Sequence, residues 1–166
     1  MCTKINKIAL LGVLIAQAVI LGYIEMLLNL PIVLPGIKIG LANISSILAV
    51  VLLGLSEALL ISIIKSIILS LIGGGMMSFL FSAFGGVLSV LVMYLLYKMY
   101  GELISIWSIS IAGAVTHNIT QLTVASLLIK DASVYFYLPV LIVSATATGA
   151  LTGVVSQAVI KSLKTI

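Results

Sequence analysis

The chain has 166 residues, of which 63% are Ala, Val, Ile, Leu, Met, Phe, Trp, Tyr or Cys, 14 are glycine and 7% are charged, with a formal net charge of +4. Soluble domains average roughly 45–50% apolar residues with glycine included and about 25% charged ones. So few polar side chains cannot cover a folded surface in water, which excludes a cytosolic enzyme, a nucleic-acid module and a disordered linker, and the lysine surplus then reads as a topology signal in a bilayer.

A helix rising 1.5 Å per residue crosses a ~30 Å hydrocarbon layer in ~20 residues, so six crossings take ~120 residues. The expected architecture is an all-α integral membrane protein, a six-transmembrane-helix bundle forming one domain over 1–166. The first helix is predicted over about 8–28. It carries Ala9, Gly12 and Ala16 within about 60° of one another, and Glu25 about 180° from Ala16. The small stripe admits another helix at close range, either a partner protein's or one of this chain's own.

After it comes an apolar loop, Asn29-Leu-Pro-Ile-Val-Leu-Pro-Gly-Ile-Lys38, with Pro31, Pro35, Gly36 and Lys38. Apolar side chains left in water are costly, so it folds back over the helices as a lid or as a static cap. The second helix is predicted over about 39–55, with Asn43 near its start, and the third over about 58–72. In the third, Lys65 lies halfway along and Ser62, Ser66 and Ser70 recur every four residues. These serines widen a polar face or bond back to their own helix, the reading favoured here.

The fourth helix is expected over about 76–97, the fifth over 103–129 and the sixth over 135–160, with breaks where glycine, proline or paired charges interrupt the apolar runs. At about 100° per residue, Gln121 and Asn118 fall about 40° and 100° from His117, on one face of the fifth helix. In the sixth, Ala145, Gly149 and Gly153 form a stripe that reads as packing. With an even number of crossings, Lys4, Lys7, Lys98, Lys161 and Lys164 share one side against Lys38 and Lys130 on the other, which makes both termini cytoplasmic.

Glu25, Lys65 and His117 are ionisable groups in apolar helices, and such groups cost at least ~2.5–3.5 kcal/mol near the bilayer centre, so they usually mark a substrate or ion path. Counting depth along the helices, Glu25, Asn43, Lys65, His117, Asn118 and Gln121 line one pocket that opens outward. Lys65 and a protonated His117 hold an anionic group there, and Asn118 and Gln121 read polar ring edges. The plainer alternatives are a structural Glu25–Lys65 or Glu25–Lys38 pair and a His117 that bonds to a backbone carbonyl.

Three strings, Pro35-Gly-Ile-Lys-Ile-Gly-Leu-Ala-Asn-Ile44, Ser82-Ala-Phe-Gly-Gly-Val-Leu-Ser89 and Gly113-Ala-Val-Thr-His-Asn-Ile-Thr-Gln-Leu122, together resemble the Gx transporter family, also labelled heptaprenyl diphosphate synthase component I. The resemblance covers nearly the whole chain. It implies a bacterial cell (inner) membrane protein similar to the substrate-binding S components of energy-coupling factor transporters. Such a component captures a vitamin-, flavin- or quinone-like small molecule from outside under a loop that follows its first helix. Its first-helix stripe, here Gly12–Ala16, meets a transmembrane coupling protein with ATPase subunits. Relatives tend to carry arginine where this chain has Lys65, which removes bidentate anion recognition.

Two other functions are kept beside transport: a membrane anchor or quinone-handling subunit of an extracellular electron-transfer assembly, and an accessory component in prenyl diphosphate or menaquinone synthesis. Prenyl diphosphate chemistry itself needs aspartate clusters that hold Mg²⁺, and the sequence has one aspartate, Asp131. No enzyme activity, cofactor, metal site or nucleic-acid partner is therefore expected; the expected surroundings are lipid.

Overall fold

A computed structural model describes residues 4–27, 40–99 and 104–164. These fold almost entirely as helices: α1 (Lys4–Leu27), α2 (Asn43–Leu52), α3 (Leu55–Leu69), α4 (Gly75–Lys98), α5 (Ile106–Ile129) and α6 (Leu138–Lys164). Three stretches, Lys7–Leu27, Leu55–Lys98 and Ala132–Leu163, are long and apolar enough to cross a membrane. Large apolar side chains such as Val13, Ile20, Leu88, Leu95, Val143 and Leu151 face outward along them, as lipid contact requires. The membrane character read from composition is thus carried by particular helices.

Local chemistry sets the helix ends, which differ from the expected ones by a few residues. The Leu55–Lys98 stretch folds back on itself through a π turn, Ser70–Gly74, where Gly73 takes φ 156° and Gly75 φ 66°. Neither conformation suits a residue with a Cβ. The expected break at Gly54–Glu57 is Gly54 alone, at φ 104°, so Glu57 sits in the first turn of α3 and forms an ion pair with Lys7 of α1. α5 starts at Ile106 rather than 103, because the Ser105 hydroxyl caps it by accepting from Ser108 N at 3.2 Å. Lys130 ends it in the left-handed conformation, at φ 56°.

Residues 135–137, expected in the sixth helix, belong instead to a 3₁₀ turn, Ala132–Tyr137, and α6 begins beside Pro139, which fits only a first turn. Asp131 holds that turn, accepting from Ser133 Oγ at 2.6 Å and Ser133 N at 2.8 Å. Both bonds keep its carboxyl below the ordinary carboxylate range, the side-chain bond more than the backbone one. The support this gives is complete above the ordinary carboxylate pKa and is lost as pH falls through the lower, folded value. Amide-exchange protection at Ser133 is therefore expected to fall on acidification in the wild type and to be low and pH-independent in Asp131→Ala.

The largest departure concerns α2. The expected 39–55 helix is 10 residues long, about 15 Å at 1.5 Å per residue, about half a hydrocarbon layer. It packs against α1, α3, α4, α5 and α6, and Asn43, Ser45–Val50 are all buried. α2 is a central post whose first residue lies inside the bundle.

Glycines set the spacing of the surrounding helices. On α6, a Cβ at Gly149 would stand 2.7 Å from Ile111 Cα, and one at Gly153 2.9 Å from Trp107 Cα, so α5 and α6 pack backbone to backbone. The Ala145–Gly153 stripe is this internal contact. On α4, Gly85 faces His117 and Gly86 faces Ser62, while Ser82 Oγ and Ser66 Oγ are hydrogen-bonded at 3.0 Å and Ser89 Oγ donates to Gly113 O at 2.8 Å. The Ser82–Ser89 string thus fits α4 between α3 and α5. Ser66 and Ser70 also bond back to Ser62 O and Ile67 O at 2.8 and 2.7 Å.

Candidate functional site

Five helices converge on one pocket, lined by Gly22 and Glu25 of α1, Gly40, Ala42 and Asn43 at the start of α2, Lys65 and Leu69 of α3, Ser82 of α4 and His117 of α5. Gly22 and Glu25 are three residues apart on the buried face of α1 and so point the same way. Lys65 and Leu69 repeat that geometry on α3. Glu25 is 8% exposed, Lys65 3% and Asn43 and His117 2%, so an acid, a base, an imidazole and an amide are enclosed together here.

The Glu25 carboxylate accepts a hydrogen bond from Gly40 N, tying α1 to the turn that starts α2. That turn is closed by Asn43 N donating to Gly40 O at 2.9 Å and Ile44 N to Leu41 O at 3.2 Å. Gly40 has φ 96°, and a Cβ there would stand 3.0 Å from Asn43 Nδ2. Gly40→Ala is therefore expected to destabilise the protein by about 1–2 kcal/mol through left-handed strain, and to displace the Asn43 amide; denaturant unfolding measures the loss.

Asn43 Nδ2 is buried and has no hydrogen-bond partner among the described residues. The free room between the lining atoms is that of about one water molecule, far below the ~300–1,000 Å³ of drug-sized sites. The pocket as it stands admits a single functional group.

Of the residues singled out by sequence, the structure brings Glu25, Asn43, Lys65 and His117 around this pocket and leaves Asn118 and Gln121 out of its lining. Asn118 turns toward α6, where its Nδ2 donates to Leu141 O at 3.3 Å. Gln121, fully buried, packs one turn along from His117 with its Cγ facing Gly85 of α4. A face about 100° wide on α5 is shared between two neighbouring helices, so its residues do not all reach one cavity. Pro31, Pro35, Gly36 and Lys38, the expected lid, lie outside the described residues. Ala9, Gly12 and Ala16 are exposed, and a Cβ on Gly12 would meet nothing within 4 Å.

Sequence reasoning missed Gly22, Gly40, Ala42, Leu69 and Ser82 as lining residues. Three carried a usable signal: Gly22 is one turn before Glu25, Gly40 belongs to the Pro35–Ile44 string, and Ser82 opens the Ser82–Ser89 string. Ala42 and Leu69 are indistinguishable from ordinary apolar residues.

Comparison with known proteins matches residues 14–159 to the model of the family described as heptaprenyl diphosphate synthase component I. Parallel comparisons with curated proteins and with solved structures found no match. The match spans most of the chain and contains every described lining residue of the pocket, and the chain belongs to the heptaprenyl diphosphate synthase component I family.

Proposed function

We propose that this family member is a substrate-binding membrane subunit, similar to an energy-coupling factor S component, that captures a vitamin-, flavin- or quinone-like molecule from outside the cell for energy-coupled uptake. The observation that carries the reading is the pocket: Glu25, Asn43, Lys65 and His117 come from four different helices and are enclosed together among apolar side chains. Charged groups placed this way in a membrane bundle are expensive and are usually functional. A second support is α2, a helix that starts inside the bundle with its positive end at the pocket, as interrupted helices do at transporter binding sites.

In this reading both termini are cytoplasmic, the pocket opens to the outside, and the exposed Ala9, Gly12 and Ala16 face is where a transmembrane coupling protein with ATPase subunits docks. The chain performs no catalysis itself. Purification of the tagged protein from its native membrane tests this: the wild type brings down a coupling protein and ATPases, and Gly12→Leu, which has space around it, keeps its fold and loses them. Recovery of a flavoprotein or quinone instead supports an electron-transfer subunit. Loss of prenyl diphosphate synthase activity on deletion of the chain supports the accessory role that the family description suggests.

A further inference from the structure

The charges around the pocket constrain what it can hold. Among the described lining residues Glu25 and Lys65 are the carboxylate and the ammonium, one negative and one positive charge, and Gly22, Gly40, Ala42, Asn43, Leu69 and Ser82 contribute none. Among the described lining residues these two charges balance, and they stay balanced if a proton passes from Lys65 to Glu25. The other described acids and bases are placed elsewhere: Lys7 with Glu57, Lys98 over the Tyr94 ring, Lys130 and Asp131 at the exposed connection after α5, and Lys161 exposed near the end of α6. A ligand with net charge would therefore leave that charge buried without compensation, which a low-dielectric interior strongly disfavours.

The hydrogen-bonding groups are more specific. Asn43 is 2% exposed, lines the pocket and has an amide Nδ2 with no partner among the described residues. It is also the first residue of α2, which has no side-chain cap, so the positive end of a helix dipole reinforces the same spot. Buried donors in native proteins are satisfied, and the room beside this one is about that of a single oxygen-bearing group.

Granting that the pocket binds a ligand, as proposed above, we infer that the ligand is a net-neutral molecule that inserts a carbonyl-type oxygen to accept a hydrogen bond from Asn43 Nδ2. Anions are thereby disfavoured, and with them the anionic group assigned to Lys65 and His117 from sequence. A diphosphate, with several negative charges against the one lysine among the described lining residues, fits least.

Nicotinamide and nicotinate serve as probes, because they share a ring and differ in an amide against a carboxylate. Thermal unfolding of the purified full-length chain in detergent is followed with each at millimolar concentration. Nicotinamide is expected to raise the melting temperature of the wild type and nicotinate to leave it unchanged. Asn43→Ala loses the nicotinamide shift. Glu25→Gln, which gives the pocket a net positive charge, reverses the preference in favour of nicotinate; this gain of binding cannot come from a variant that fails to fold. A wild type stabilised by nicotinate as much as by nicotinamide overturns the neutral-ligand inference and leaves a ligand pocket in place. No shift with either probe in any of these proteins overturns both that inference and the ligand-binding reading.

Discussion

Lys65→Met is expected to destabilise the protein by about 3–5 kcal/mol, the usual cost of stranding one member of a buried set of opposite charges. Lys65 is 3% exposed, and methionine fills much of its volume, so the loss reflects charge rather than a cavity. What it strands is the Glu25 carboxylate, which lines the same pocket and is held by Gly40 N. Glu25→Gln in the Lys65→Met background removes the stranded charge and is expected to restore most of the stability. Denaturant unfolding of wild type, both single variants and the double variant gives the coupling energy directly. Strictly additive losses would show that the two side chains do not share one electrostatic environment.

The second large effect lies far from any charge. Gly149→Ala places a Cβ 2.7 Å from Ile111 Cα and 3.2 Å from Ala114 Cβ, and backbone cannot swing aside as a side-chain tip can. Separating α5 from α6 is expected to cost about 1–3 kcal/mol, typical of overpacking a well-filled contact, and more for Gly149→Leu. Gly12→Ala is the matched control, since a Cβ there meets nothing within 4 Å; it is expected to be neutral or slightly stabilising, because alanine is the better helix former. Reversible unfolding in mixed micelles separates the two. Equal effects at both glycines would mean that helix propensity, and not the α5–α6 contact, sets the outcome.

This contrast shows what a sequence can and cannot yield in a membrane protein. Helices and their order are legible because glycine, proline and charge stand out against long apolar runs. The length of α2 is not, because Ile39–Leu55 reads as apolar apart from Asn43, Ser45 and Ser46, and hydropathy cannot separate a helix bathed in lipid from one wrapped by other helices. α5 shows the reverse. It is 24 residues long, yet Thr116, His117, Asn118, Thr120, Gln121 and Thr123 in its middle keep it out of the stretches apolar enough to cross a membrane by composition.

The pocket was partly legible for an energetic reason: Glu25, Lys65 and His117 are too costly in apolar helices to be incidental. Asn118 and Gln121 could not be sorted by periodicity, because the angle around a helix says which residues share a side and not which neighbour occupies it. Likewise Gly12 and Gly149 lie in similar small-residue stripes, and only the fold shows that one stripe is covered and the other open.

The enclosed pocket is proposed to capture a small molecule. Native mass spectrometry of the full-length wild type, released from detergent after extraction from its own membrane, tests it most directly. A retained adduct of discrete mass that is lost in His117→Ala, with the variant's fold intact, is the predicted result; wild-type protein that carries only lipid adducts, unchanged in the variant, contradicts it.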